Sequence, residues 1–362
     1  MSFSILGLGT AVPPNCVSQE DALEMSTELI CEDTRQQRLL RVLFRKSGVE
    51  NRHTVIPWQT GYAWKRDEGQ LGSGRGPTTA DRMRLYTEHA APLARIAASK
   101  ALDEAEIDHR SVTHLITVSC TGFDAPGVDV DLIQSLGLRP TTQRVHVGYM
   151  GCHGVINALR VARGLAASEP NACILLSAVE LCSLHYRLTW DDEGIKGNAL
   201  FADGAAALVG ANRAPTRSTI WNVRGTGSCL IPDSVDEMSW RIGDHGFEMR
   251  LTSRVPALIE EHLNHWMSAW LDGFGYTINT VGAWAVHPGG PKIVDAVENA
   301  LCLPANACSM SRQVLQQLGN MSSPTVLFIL DRLRRSEPAL PIVVLGFGPG
   351  LTAEAAILGC AD

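Results

Sequence analysis

Cys173–Ser177 reads Cys-Ile-Leu-Leu-Ser, and Ala283–Val286 and Ile342–Leu345 are equally unbroken buried runs. A strand without polar alternation has both faces covered, which happens where helices lie on either side of a sheet. His114–Ser119 and Val145–Val147 read as further strands, and Ser4–Leu8 as a strand that runs into a loop at Gly7. Helical spacing fills the intervals at Ala90–Leu102, at Pro126–Leu136, and through Val255, Leu258, Ile259, Leu263, Trp266, Met267 and Trp270. Buried strands alternating with helices predict a layered α/β fold.

One echo divides the chain. Ala206-Ala207-Leu208-Val209-Gly210 closes a segment that begins at Phe201, and Ala355-Ala356-Ile357-Leu358-Gly359 closes one that begins at Phe347. The repeat predicts two related halves, residues 1–214 and 215–362, joined near 211–218, where Ala-Asn-Arg-Ala-Pro-Thr-Arg-Ser has linker composition.

Charge and composition remove several classes. A formal net charge of −7 argues against a nucleic-acid binder, which shows a basic face. No apolar run reaches the ~18 residues of a membrane span. Met-Ser-Phe-Ser-Ile lacks the basic start of a secretory signal, so a cytoplasmic protein is expected. The ten cysteines include no CxxC pair, which argues against structural zinc and predicts reduced, mostly buried thiols. Gly7 and Gly9 begin a match to a dinucleotide fingerprint, but Val12 and the prolines Pro13 and Pro14 oppose a helix opening there. Gly69–Pro77 reads as a loop, with no Lys-Ser/Thr pair to make it a phosphate cradle.

The best nucleophile is Cys152, in Gly148-Tyr149-Met150-Gly151-Cys152-His153-Gly154. Val155, Ala158, Leu159, Ala162, Leu165 and Ala166 then follow at helical spacing. A cysteine at a helix start is expected to have a lowered pKa, because unpaired N–H groups and the helix dipole favour the thiolate. His287 follows a strand and precedes Pro288-Gly289-Gly290-Pro291, a rigid turn that aims it into a cleft. Asn320 lies in Gly319-Asn320-Met321-Ser322-Ser323, where an ordinary helix cap is the plain alternative. A Cys followed by His 135 residues on and Asn 33 further permits two chemistries. One is a papain-like protease, whose local cysteine signature is absent. The other is acyl transfer to a thiolate followed by carbon–carbon bond formation.

At these motifs, and at Gly346-Phe347-Gly348-Pro349-Gly350-Leu351, the sequence resembles the type III polyketide synthases, the chalcone-synthase-like family. The resemblance implies a thiolase-like five-layered αβαβα fold, a homodimer, acyl-CoA and malonyl-CoA as substrates, and no bound cofactor or metal. It implies that Cys152 carries the starter and the growing chain, and that His287 and Asn320 bond the thioester oxygen and stabilise an enolate. Phe201 and Phe247 match a pair of gating phenylalanines. Cys120, Cys182, His185 and, less directly, Met238 stand where plant members line the cavity with small residues. Ser322 retains the family's serine, and Ala125 replaces a methionine that crosses the dimer. These departures imply a reshaped cavity, and the Cys120–Phe123 and Asp244–Phe247 stretches resemble bacterial members, many of which make alkylpyrones or alkylresorcinols from long acyl starters. For coenzyme A, Lys46 matches a phosphate-contacting position, while the other matching positions are Leu39 and Val42; Arg38 and Arg41 are the expected substitutes. Three other readings compete: a single-condensation ketoacyl synthase fed by a carrier protein, a plain thioesterase, and a silent partner subunit, which should have lost Cys152.

Overall fold

The apolar runs are strands covered on both faces. The computed structural model describes residues 3–66, 75–212 and 220–360. Its strands are β1 (Phe3–Ala11), β2 (Asn15–Ser18), β3 (Asn51–Thr54), β4 (His114–Ser119), β5 (Gln143–Gly148), β6 (Cys173–Leu181), β7 (Asp203–Ala211), β8 (Trp221–Leu230), β9 (Met238–Gly243), β10 (Gly246–Leu251), β11 (Ala283–Val286), β12 (Ile342–Gly348) and β13 (Thr352–Gly359). Nine of them form one sheet in the order β11-β12-β13-β8-β1-β7-β6-β4-β5. β4 is parallel to β5 and β6, and β11 is parallel to β12; the other neighbours are antiparallel.

The order reads alike from both sides of the β1–β8 junction. β7 lies between β1 and β6 as β13 lies between β8 and β12. The two echoed segments are therefore equivalent strands of two related halves. The predicted joint at 211–218 and the loop at 69–77 fall mostly outside the described residues.

Alternation along the strands separates the layers. Ile174, Leu176 and Ala178 of β6, and Ile342 and Val344 of β12, pack with the helices Gly154–Ser168 and Thr325–Arg334 in one central core. Leu175 and Val179 turn the other way, onto the helix Thr79–Ala105. Val343 and Leu345 likewise turn onto Val255–Asp272 and Pro291–Ala300. Helix, sheet half, central helices, sheet half and helix make the five αβαβα layers.

Several boundaries differ from expectation. The predicted helix at Ala90–Leu102 spans Thr79–Ala105, because Thr78 and Asp81 form a capping box well upstream. The helix expected from Pro126 starts at Val128. β1 does not end at Gly7; it continues to Ala11. Its glycines serve packing: a Cβ on Gly7 or Gly9 would sit 2.1 Å from Ala101 O or 2.2 Å from Ala97 O, so the strand meets the long helix backbone to backbone. The cysteines form no disulfide among the described residues, but only Cys120, Cys173, Cys182 and Cys308 are buried, fewer than expected.

Gly9→Ala should therefore destabilise by about 1–3 kcal/mol through forced separation of strand and helix. Gly164→Ala, where a Cβ meets nothing within 4 Å, is the control and should be neutral or stabilising. Denaturant midpoints check both; equal midpoints would contradict the packing argument.

Candidate active site

β5 ends at Gly148, and the chain reaches the helix Gly154–Ser168 through a single 3₁₀ turn, Gly151–His153, that carries Cys152. Tyr149 takes a left-handed φ of 59° just before it. The glycine-rich motif near the C-terminus packs on this turn. A Cβ on Gly348 would meet the His153 ring at 2.5 Å, and one on Gly151 would meet Pro349 at 2.6 Å. His153 is fixed by Asn157 Oδ1 at 2.7 Å and Thr352 Oγ1 at 2.6 Å, which ties the nucleophile turn to β13.

Asn320 pairs with the other half of the chain. Its N–H donates to Leu200 O at 2.8 Å, and its carbonyl accepts from Ala202 N at 2.9 Å. Its Oδ1 accepts from Ser322 N at 2.8 Å, which turns the side-chain NH₂ toward the Cys152 sulfur, where it favours the thiolate. Ser322 holds φ at 56° in this turn and contacts Cys120 Sγ at 3.4 Å as well as the Cys152 thiol. His287 sits at the end of β11, its N–H bonded to Leu345 O at 2.7 Å. It is 1% exposed, and among the described residues neither ring nitrogen has a partner.

Burial decides the protonation states. It pushes the Cys152 thiol up to about 11, against the bonds from Ser322 and Asn320. Burial also pulls His287 down to about 3, helped by nearby His153. The expectation of a depressed Cys152 pKa is thus overturned: the helix start is present, but desolvation outweighs it. The free site holds a neutral thiol and a neutral imidazole.

Leu200 lines an outer groove of about 590 Å³, and the next residue, Phe201, lines an inner cavity of about 70 Å³. This dipeptide, paired to Asn320, is a divider that borders both spaces, although Cys152, His287 and Asn320 line neither of them. Phe201 and Phe247 both line the inner cavity, joined through Trp240, whose ring lies 6.2 Å from the first and 5.9 Å from the second. Trp240, rather than Met238, is the residue of β9 that enters the cavity; Met238 packs into the C-terminal core.

Cys182 and His185 both face the cavity because Cys182–His185 is a 3₁₀ turn, where residues three apart eclipse. His185 has no ring nitrogen left to bond a substrate carbonyl. Its Nε2 is 2.6 Å from Thr121 O and its Nδ1 accepts from Phe247 N at 2.9 Å, so both nitrogens are used. Burial holds it neutral, near 3. It fills space and fixes Phe247, on which it stacks at 4.2 Å.

Sequence reasoning missed Glu180. Buried in β6, it accepts from Thr121 Oγ1 and Ser323 Oγ at 2.6 Å and from Cys120 N at 2.9 Å, and burial raises its pKa. An acid inside Cys-Ile-Leu-Leu-Ser-Ala-Val-Glu-Leu was the available signal. The basic helix also needs correction. Arg35, Leu39, Val42 and Lys46 line the outer groove, joined across it by Lys196 and Lys292, while Arg38 and Arg41 do not. At 3.6 residues per turn these two lie on a neighbouring stripe.

A family model for the chalcone and stilbene synthases, N-terminal domain, matches residues 2–213, and one for their C-terminal domain matches 223–361. The chain belongs to this family, the type III polyketide synthases. It is 32% identical to the alpha-pyrone synthesis polyketide synthase-like Pks18 of Mycobacterium tuberculosis, over 97% of this chain and 89% of that protein. It is 33% identical to the 1,3,6,8-tetrahydroxynaphthalene synthase of Streptomyces peucetius subsp. caesius, over 98% of this chain and 92% of that one. The crystal structure of the C-terminal type III polyketide synthase domain of Steely1, a type I/III hybrid from Dictyostelium, superposes with a TM-score of 0.92 at 26% identity, covering 100% of both chains. That of PKS-I from the brown alga Ectocarpus siliculosus gives 0.87 at 26%, covering 99% of this chain and 98% of the other.

Two outcomes follow for this family member. Alkylation of Cys152 by iodoacetamide should be slow at pH 7 and climb about tenfold per pH unit into the alkaline range. His287→Ala should leave the acid-side rate unchanged; a wild-type plateau at low pH, read by peptide mass, would reveal an ion pair instead. His185→Thr removes the acceptor for Phe247 N–H and should cost about 1–3 kcal/mol of stability. It should also shift the distribution of product chain lengths; an unchanged denaturation midpoint and product profile would remove His185 from the gate.

Proposed function

We propose that this polyketide synthase loads an acyl-CoA starter on Cys152, extends it with malonyl-CoA, and cyclises the chain to a pyrone or a resorcinol-type phenol. The observation that carries the reading is Asn320, whose amide oxygen is spent on Ser322 so that its donors face Cys152, with the unpartnered His287 ring buried near His153, the residue after Cys152. In loading, the Cys152 sulfur attacks the thioester carbon and His287 takes its proton, which passes to the departing CoA sulfur. In extension, malonyl-CoA loses carbon dioxide, and the electron pair of the broken bond spreads onto the thioester oxygen. Asn320 and the neutral His287 N–H hold that charge. The enolate carbon then attacks the acyl-Cys152 carbonyl and expels the Cys152 sulfur.

A neutral imidazole suits both steps, since it accepts one proton and donates one hydrogen bond. The apolar enclosure by Phe201, Trp240 and Phe247 protects thioesters from water. Lys46, Arg35 and Lys292 take the CoA phosphates at the outer groove, and the chemistry needs no bound cofactor. The active form is a cytoplasmic homodimer. β5 is an edge strand, and the adjacent Phe123, Tyr149 and Met150 are exposed apolar side chains that a second copy would cover. Residues 1–214 and 215–362 act as the two halves, one carrying Cys152 and the other His287 and Asn320.

Mass spectrometry of products from malonyl-CoA and acyl-CoAs of increasing length tests this. Cys152→Ala should abolish product and acyl-enzyme while the fold survives. Asn320→Ala should lose about a hundredfold or more in malonyl-CoA decarboxylation yet still form the acyl-Cys152 adduct, because loading needs less charge stabilisation. Equal loss of both half-reactions in a folded variant would contradict the assignment. A product containing only one malonyl unit would favour a ketoacyl synthase, and free acid without malonyl consumption a thioesterase.

A further inference from the structure

The helix Thr34–Lys46 carries five basic residues and no acidic one, in a chain whose formal net charge is −7. Its positions divide into two stripes. Arg35, Leu39, Val42 and Lys46, spaced four, three and four apart, line the outer groove. Arg38, Arg41 and Arg45, spaced three and four apart, are exposed and stand outside it. Among the described residues none of these three has an ion-pair or hydrogen-bond partner. Seven residues of helix span ~10 Å, so the stripe presents three guanidinium groups in a row beside the mouth of the groove.

The groove and the stripe differ in chemistry. Within the groove, Leu39 and Val42 are 45% and 50% exposed, and Leu43, Leu200, Val255 and Pro256 continue an apolar wall. Such a wall suits a pantetheine arm. Lys46, Arg35 and Lys292 already supply cations at the groove for the phosphates of coenzyme A. The outer arginines are left over, turned to where a macromolecule bearing the arm would rest.

We propose that the Arg38–Arg41–Arg45 stripe docks an acidic acyl carrier protein, which threads its acyl-pantetheine arm along the groove and delivers the starter to Cys152. In the transfer the acyl carbon leaves the pantetheine sulfur for the Cys152 sulfur, and the thiol proton returns through His287 to the pantetheine thiolate. Charge complementarity selects the partner: a row of unpaired guanidinium groups meets carboxylates, and rim charges of this kind act mainly on encounter rate. The inference rests on the function proposed above and adds a second source for its starter.

The test charges the whole enzyme with one acyl group in two forms, lauroyl-CoA and a lauroyl-loaded bacterial acyl carrier protein, and follows acyl-Cys152 by intact mass. The wild type should accept both. The triple variant Arg38→Glu, Arg41→Glu, Arg45→Glu should lose about tenfold or more in kcat/KM with the carrier protein and change less than about twofold with lauroyl-CoA. Added salt should slow the wild type with the carrier and leave the variant nearly indifferent. No charging of the wild type by the carrier, or equal losses with both donors, would overturn the proposal. Product formation from lauroyl-CoA and malonyl-CoA, run in parallel, separates the two readings. If it fails, the reaction itself is wrong; if it proceeds while the carrier fails, only the docking is wrong.

Discussion

The backbone pairing of Asn320 with Leu200 and Ala202 holds the site together. Cys152 comes from the first half of the chain, and His287 and Asn320 from the second. Two hydrogen bonds, Asn320 N to Leu200 O at 2.8 Å and Ala202 N to Asn320 O at 2.9 Å, fasten the halves where the reaction occurs. The same bonds fix Phe201, so the divider between groove and cavity and Asn320 share one paired backbone. A shift in either would move the other. The nucleophile turn is held separately, by the glycines of β12 and by His153 against β13. Both attachments cross from one half to the other.

Enclosure between the halves sets the electrostatics. The Cys152 thiol and the buried His287 imidazole each lose solvation on charging, so each is driven toward its neutral form. In the proposed loading step the proton would leave Cys152 as its sulfur bonds the thioester carbon, so a neutral thiol is compatible with that reading. In the proposed decarboxylation step a neutral His287 would offer its N–H without the penalty of a buried charge. Glu180 is the local contrast. It collects three hydrogen bonds shorter than 3 Å and still has a raised pKa, so hydrogen bonding only partly offsets its burial.

The layered fold was legible in the sequence because buried strands lack polar alternation, and the Ala-rich echo marked equivalent strands β7 and β13. The family was legible through the motifs around Cys152, His287 and Asn320, and the chain matches its family models. What escaped was geometry that periodicity does not encode. Cys182 and His185, three residues apart, would point to opposite faces of a strand but share one side of a 3₁₀ turn. Met238 and Trp240 are two residues apart on β9 and share a face, and it is the pair Trp240–Met249, one step along the hairpin from Met238–Leu251, that reaches the cavity. Glu180 was passed over as one letter in an apolar run. The lowered thiol pKa failed because a helix start is local, whereas desolvation sums over every wall of the site.

Arg52 shows how the divider stays rigid. It is 4% exposed and pairs with no carboxylate among the described residues; its guanidinium bonds Asn198 O at 2.6 Å, Ala199 O at 3.0 Å and Phe201 O at 3.2 Å, and also Gln19. These carbonyls end the short helix Ile195–Leu200, where unpaired oxygens and the negative end of the helix dipole collect. Burial lowers the Arg52 pKa to about 10, which leaves it charged at neutral pH. A cation buried among carbonyls is stable only while those carbonyls stay in place, since losing them would strand the charge without a partner. The arrangement therefore opposes any displacement of Leu200 and Phe201. Through the paired backbone, it opposes displacement of Asn320 as well.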